Sequence, residues 1–375
     1  MKRIWLCLGL LVLAAQAGAQ RAPWRLSTQP IMTIGSEEGE LPYQLERVTG
    51  AVRLPDGLIV VGNSGSSELR FFDAKGKHIK SAGRRGAGPG EFGQYSNVTP
   101  LLAQRDRLMV QDAESQRVNV FDLSGRYLRQ FRFEAQPTAK LVSLVAADST
   151  GIVGQSLRDT RLQGNPGDIL ESTWQVALFD SLGMQRNLLF DLSGRRRLVH
   201  SHQGITHYPF IPFSAEPAIA FAAARVFVVR GDSAVVEVWS SAGRRVATYR
   251  WPAERTRVRD IWARYKSAEL ATMTRERDRV LYTHYFDMTL PLPEYVPVAS
   301  QLKVDAAGNL WIERSLLPWE TERRWDVLNG QGRFLGTVST PRRLNVYQIG
   351  TDFVLGRARD SLDIEQIQLW RLTRG

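Results

Sequence analysis

Short apolar runs alternate with polar positions along most of the chain, and Gly, Pro, Asn or Asp interrupt them every few residues. A period of two with frequent turn residues predicts β-strands joined by tight hairpins. One marker recurs within this rhythm: an apolar or aromatic residue, a polar one, two variable positions and a glycine. It stands at Phe72-Asp73 with Gly76, Phe121-Asp122 with Gly125, Phe179-Asp180 with Gly183, Trp239-Ser240 with Gly243 and Leu328-Asn329 with Gly332. Each marker reads as the end of a strand, a turn and the start of the next strand. Glycine is wanted there because a short turn needs a residue at positive φ, which costs little without a Cβ.

A second hairpin lies upstream of each marker. Residues 51–54 turn at Pro55-Asp56-Gly57 into 58–61, and 302–304 turn at Ala306-Ala307-Gly308 into 310–312. Residues 98–102, 141–146, 217–221 and 346–349 open the other units in the same way. Complete four-stranded units are predicted over 45–83, 97–133, 141–190, 216–251 and 300–339. A sixth unit, 345–371, supplies only three strands, while an orphan strand over 25–34 precedes the first unit. Adding the orphan to the sixth unit as its outer strand closes a ring and removes an edge of unpaired N–H and C=O groups. Four-stranded units repeating at about 50 residues are the signature of propeller blades. The predicted class is therefore all-β, a six-bladed β-propeller of four-stranded antiparallel blades closed by an N-terminal strand, one domain over 20–375.

A local duplication sets the register. Gly39-Glu40-Leu41 leads into the first unit and Gly90-Glu91-Phe92 into the second, 51 residues later. The segment Gly86-Ala87-Gly88-Pro89-Gly90-Glu91-Phe92, followed by Asp112, Arg117 and the Phe121-Asp122 marker, resembles the NHL-type six-bladed β-propellers, their exported bacterial members above all. The resemblance is good over 45–133 and continues as blade rhythm beyond. It departs in the third and fourth units, where the strand-end acid becomes Gln155 and Arg230, so an acid–base pair of the family kind is not expected there.

The hairpin turns within units are short, whereas the long segments 35–44, 84–96, 157–172, 191–215, 252–299 and 315–324 all join second to third strands or one unit to the next. In a propeller these two classes of connection share one face. Insertions gathered on one face of a repeat array mark a binding face, the alternative being a plug over the channel. The largest, 252–299 between blades 4 and 5, is predicted to carry a helix over about 254–278, with Val258, Ile261, Trp262 and Tyr265 at helical spacing and Leu270 and Met273 widening the apolar face. It would cap the propeller mouth, in preference to lying on an anionic membrane.

Charge and the N-terminus narrow the setting. Lys2 and Arg3, the apolar run 4–15 and a small-x-small site at 15–17 or 17–19 read as a secretory signal peptide over 1–19, and the run is too short to span a bilayer. Cys7, the one cysteine, lies within it, so disulfides, thiolate metal sites and thiol nucleophiles drop out of the mature chain. An exported chain, periplasmic or extracellular and without a transmembrane segment, is expected, and a monomer. The net charge of +11, of which Lys2 and Arg3 supply two, favours anionic partners. Export argues against nucleic acid.

Candidate chemistry is sparse. His200, His202 and His207 have the spacing of a three-nitrogen zinc site. Asn63, Asp112, Gln155, Arg230, Glu313 and Arg357 close the second strand of successive blades and are expected near the working face. In propeller lactonases calcium is bound by carboxylates and amides around the axis, and Asn63, Asp112 and Glu313 offer similar oxygens. Arg230 and Arg357 oppose a divalent ion and favour an anionic ligand. Asp112 is expected to pair with Arg117 within its blade. The glycines at 86–90 lack the Lys-Ser/Thr ending of a phosphate loop, and Ser64 lacks the strand–turn–helix setting of a nucleophile elbow. The expected function is a non-catalytic propeller holding a protein, peptide or glycan on its loop face, without a required cofactor. The alternative is a hydrolase or lyase of the lactonase kind using calcium or zinc.

Overall fold

A computed structural model describes residues 24–374, apart from 104–105, 113, 135–141, 159–162 and 203. The export signal expected at the N-terminus lies outside the described residues.

The chain opens with two short strands, β1 (Arg25–Leu26) and β2 (Met32–Ile34). Blade 1 follows as β3 (Val48–Arg53), β4 (Ile59–Asn63), β5 (Glu68–Phe72) and β6 (His78–Ala82). Blade 2 is β7 (Thr99–Ala103), β8 (Arg107–Asp112), β9 (Arg117–Asp122) and β10 (Tyr127–Phe131). Blade 3 is β11 (Val142–Asp148), β12 (Gly151–Leu157), β13 (Ile169–Phe179) and β14 (Gln185–Leu198), and a small hairpin, β15 (His200–His202) and β16 (Ile205–His207), rises from it. Blade 4 is β17 (Ala218–Ala222), β18 (Arg225–Val229), β19 (Val235–Ser240) and β20 (Arg245–Arg250). Helices α1 (Val258–Thr272) and α2 (Glu276–Asp287) come next. Blade 5 is β21 (Gln301–Val304), β22 (Leu310–Glu313), β23 (Glu322–Leu328) and β24 (Phe334–Pro341), and blade 6 is β25 (Asn345–Ile349), β26 (Phe353–Arg359) and β27 (Glu365–Thr373).

Every blade is an antiparallel sheet in sequence order, and the first strands β3, β7, β11, β17, β21 and β25 neighbour one another around the axis. The ring closes as the pattern predicts. Met32, Thr33 and Ile34 pair with Leu369, Gln368 and Ile367, and Arg25 and Leu26 with Thr373 and Leu372, so both N-terminal strands complete blade 6. The five marker glycines take φ between +72° and +87°, as the turn argument requires.

The core is six seams between blades. In blade 5, Leu310 and Ile312 pack toward blade 4, while Trp311 packs toward blade 6. In blade 1, Val61 and Ile59 face blade 6 and Val60 faces blade 2. Burial on both faces explains why second strands such as Ile59-Val60-Val61 read as continuous apolar runs instead of an alternation. Interior glycines let the seams close: a Cβ on Gly62 would sit 1.6 Å from the carbonyl oxygen of Val98 in blade 2.

Two expectations need correction. Segments 157–172 and 191–215 are not wholly loops, because β13 and β14 run on past the blade and pair from Ile169↔Leu198 to Glu171↔Arg196. The single helix expected over 254–278 is two, broken at 273–275 and extended to Asp287.

Candidate functional site

The loop face carries a second storey. The extended β13–β14 ladder continues into the β15–β16 hairpin, where His200 pairs with His207 and His202 with Ile205. The returning chain lies back on β14, with Leu198 N–H donating to the Pro209 carbonyl at 3.0 Å and Ile211 N–H to Arg196 at 2.9 Å. Helices α1 and α2 pack on this platform through a core of their own. Leu198, Ile211, Tyr285 and Phe286 are buried at its centre, with Trp262, Leu270 and Tyr282 against them. The Tyr285 hydroxyl donates to the Phe210 carbonyl at 3.2 Å, and burial raises its pKa, so it stays a neutral donor. The amphipathic helix expected as a cap is thus seated on protein, and no helix among the described residues is long and apolar enough to cross a membrane.

Between hairpin and cap lies a pocket of about 360 Å³ whose walls include Arg197, His200, His207, Tyr208, Phe210 and Tyr282. The guanidinium carbons of Arg195 and Arg197 stand 4.0 and 3.6 Å from the Phe210 ring centroid. Arg195 meets Glu216 at 3.9 Å. Arg197 has no carboxylate partner among the described residues and donates instead to the Tyr208 carbonyl at 2.8 Å. Burial and the Arg195 charge push its pKa down, the mark of a cation held without a counter-ion. Aromatic stacking leaves such a guanidinium edge free to bind an anion.

Beside the pocket, His200 and His202 of β15 meet His284 of α2, with ring centroids 4.6 Å apart for His202–His284 and 5.3 Å for His200–His284. One ring nitrogen of each lies within 4.8 Å of the others. His200 is 3% exposed, and its Nε2 has no hydrogen-bond partner among the described residues. Burial, then the neighbouring His284, His202 and His207, lower its pKa, which favours neutral imidazole. The sequence spacing singled out His207 as third member, but the tight cluster takes His284 while His207 stands across the hairpin from His200. No spacing rule links His284 to a hairpin some eighty residues earlier. The signal available was that four of the five histidines lie in the two insertions flanking blade 4.

The strand-end residues sit in their own blades, most of them in ion pairs. Asp112 is fully buried, pairs with Arg117 at 3.2 Å and accepts from Ser96 and Ser115. Burial alone would raise its pKa, but the Ser115, Ser96 and Arg117 hydrogen bonds outweigh it and hold the carboxyl below its usual range. Glu313 is buried and pairs with Arg323 at 2.7 Å, and Arg357 pairs with Glu365 at 2.9 Å. Arg230 meets Glu237 through two contacts of 2.8 and 3.1 Å. The acid–base pair that the sequence did not lead one to expect in blade 4 is therefore present with its signs exchanged, as in blade 6. Asn63 accepts from the Glu46 N–H at 2.7 Å and donates to Ser66. Gln155 is half-buried between Ser143 and Val176.

A second hollow of about 400 Å³ follows the axis, lined by first-strand residues including Thr99, Ser143, Lys303 and Tyr347. Desolvation lowers the pKa of Lys303 against the opposing pull of Glu313. No carboxylate lies within ion-pair distance of its ammonium among the described residues.

A family profile described as a 6-bladed beta-propeller matches residues 47–145, which span blades 1 and 2 and the start of the first strand of blade 3. A search of curated proteins returned no match. Among solved structures the chain is similar to a protein of Bacteroides fragilis described as exported, at 12% identity over 94% of this chain and 95% of that one, TM-score 0.48. It is also similar to a member of the duf4221 family from Bacteroides vulgatus, at 10% identity over 94% and 99%, TM-score 0.49. Virginiamycin B lyase from Staphylococcus aureus is similar at 9% identity over 94% and 99%, TM-score 0.42. At these values the likenesses carry no argument about function, and what stands is a propeller of six blades.

Proposed function

We propose that this chain is an exported, non-catalytic binding propeller of NHL-like kind that holds an acidic peptide or an anionic glycan on its loop face, beneath the helical cap. The observation that carries this reading is Arg197 in the cap pocket, stacked on Phe210 and lacking a carboxylate partner among the described residues, with Arg195 against the same ring. A guanidinium desolvated on an aromatic ring, with its edge turned to an open hollow, is a site for a carboxylate or sulfate. The excess of basic residues draws the same class of ligand.

The alternative, a metal-dependent hydrolase or lyase with calcium held by Asn63, Asp112 and Glu313, is less well supported. Each of these oxygens is already engaged within or beside its own blade. A carboxylate paired with a buried guanidinium is a poor calcium ligand, because the ion would have to strip the pair first.

Arrays of acidic peptides and of sulfated or uronic-acid glycans test the proposal. Binding should fall with added salt and weaken at least about tenfold in Arg197→Ala, since a charge-assisted contact is worth about 1.5–3 kcal/mol. Anion binding that Arg197→Ala leaves intact would overturn the site. Turnover of lactones or esters at about 10 s⁻¹ would overturn the non-catalytic reading.

A further inference from the structure

We propose that His200 and His202 of the hairpin and His284 of α2 form a binding site for a divalent transition metal of the zinc class, which fastens the helical cap to the propeller. The site adjoins the Arg197 pocket, which His200 also lines, but rests on its own ligands and does not depend on what the loop face binds.

Three observations converge on it. The ligand atoms of three imidazoles already lie within 4.8 Å of one another although they come from a hairpin and a helix distant in sequence. In a tetrahedral zinc site with Zn–N near 2.05 Å, nitrogens lie about 3.3 Å apart, so the rings would have to close by no more than about 1.5 Å. Such a shift is within reach of side-chain rotation. Second, the His200 Nε2 is buried and has no partner among the described residues. A buried nitrogen without a partner is costly, and a metal is one of the few groups that can satisfy a neutral imidazole lone pair. Third, exposure rises across the set, with His200 buried, His202 half-buried and His284 exposed, which gives an ion a path from solvent to its deepest ligand.

The donor set selects the metal. Three nitrogens without a carboxylate suit zinc, copper, nickel or cobalt and are poorly matched to calcium or magnesium, which take oxygen. A tetrahedral ion held by three histidines keeps one position for water or an anionic ligand atom. His200 also lines the pocket that holds Arg197, so this position would lie beside the proposed anion site.

The test uses the full chain, stripped with chelator and titrated with Zn²⁺ alone. One equivalent should bind, the melting temperature should rise, and protease cleavage between α1 and α2 should slow on zinc addition. Cobalt in place of zinc should give the visible absorption of a four-coordinate ion. His284→Ala, at an exposed position, should weaken zinc at least about 100-fold, and His202→Ala likewise, whereas His207→Ala should stay within about threefold. Binding of less than about a tenth of an equivalent would overturn the proposal. So would zinc affinity unaffected by His284→Ala, or loss of affinity confined to His207→Ala.

Discussion

The charged groups at the ends of second strands illustrate how a propeller uses its repeat. A residue that emerges there faces the start of the third strand, and in blades 2, 4, 5 and 6 opposite charges meet at that junction in either order. Asp112–Arg117 and Glu313–Arg323 run acid to base, while Arg230–Glu237 and Arg357–Glu365 run base to acid. Truncating one member of the buried Asp112–Arg117 pair would leave the other's charge buried without its counter-ion, a loss of about 3–5 kcal/mol. Lys303 breaks the rule, for it enters the axial hollow with no carboxylate within ion-pair distance among the described residues. Its pKa is lowered from 10.5 by desolvation, so between that lowered value and 10.5 the unfolded chain binds more protons than the folded one. Stability attributable to this residue therefore rises with pH through that window and is lowest below it. Lys303→Met should stabilise the fold at neutral pH by on the order of 1 kcal/mol, roughly 2 °C in a chain this long. The gain should shrink as pH approaches 10.5. Denaturant unfolding of both proteins at neutral and alkaline pH checks this, and a less stable Lys303→Met at both would mean that the ammonium is held by polar contacts that offset its burial.

At the scale of elements, glycine does two different jobs that substitution can separate. Gly62 lies in β4 where blade 2 presses against blade 1, and its missing side chain makes room for Val98 backbone, which cannot yield. Gly308 turns at φ +81° with open space around it. Gly62→Ala should cost about 3 kcal/mol by overpacking, whereas Gly308→Ala should cost about 1 kcal/mol through backbone strain alone. Melting temperatures should fall by roughly 6 °C and 2 °C respectively. Equal effects would show that the seam relaxes. The turn glycines, paired with a polar residue three positions earlier, were the part of the fold most legible in the sequence, because hairpin sterics leave few other choices. The β13–β14 extension was not legible. Its run Arg195-Arg196-Arg197 has no alternation to announce a strand, and its pairing is fixed by the platform beneath the cap. Helix α2 was missed for a similar reason: charged residues Glu276 to Arg279 dilute its apolar face, which becomes visible only where Phe286 meets Trp262 and Tyr282 packs on Tyr285 and Phe286. His284 rides on that missed helix, so the histidine cluster could be read only in part.

The whole ring depends on a joint between its two ends. Ile34, 1% exposed, packs in the seam between blades 6 and 1 with Ile367 and Leu355, and Trp24 lies on Trp311 at 5.9 Å while Arg374 covers its ring at 4.6 Å. Blade 6 also grips blade 1 through Glu365, whose carboxylate accepts from the Val48 N–H at 2.6 Å, and through Arg357 and Tyr347, which donate to the Val48 carbonyl. A chain beginning at Gly39 keeps those contacts but loses β1 and β2, which leaves β27 as a bare edge and uncovers Ile367 and Leu369. An apolar strand with unpaired backbone groups is a template for pairing with another molecule. Such a chain should therefore melt well below the intact one and form oligomers or aggregates as its concentration rises, whereas removing residues 1–20 alone should change neither property. Light scattering and thermal unfolding of the two shortened chains decide the matter. If the chain beginning at Gly39 stays monomeric and melts within about 2 °C of the intact protein, a change worth roughly 1 kcal/mol at this size, then the contacts around Val48 hold the ring by themselves and the N-terminal strands merely lie along its edge.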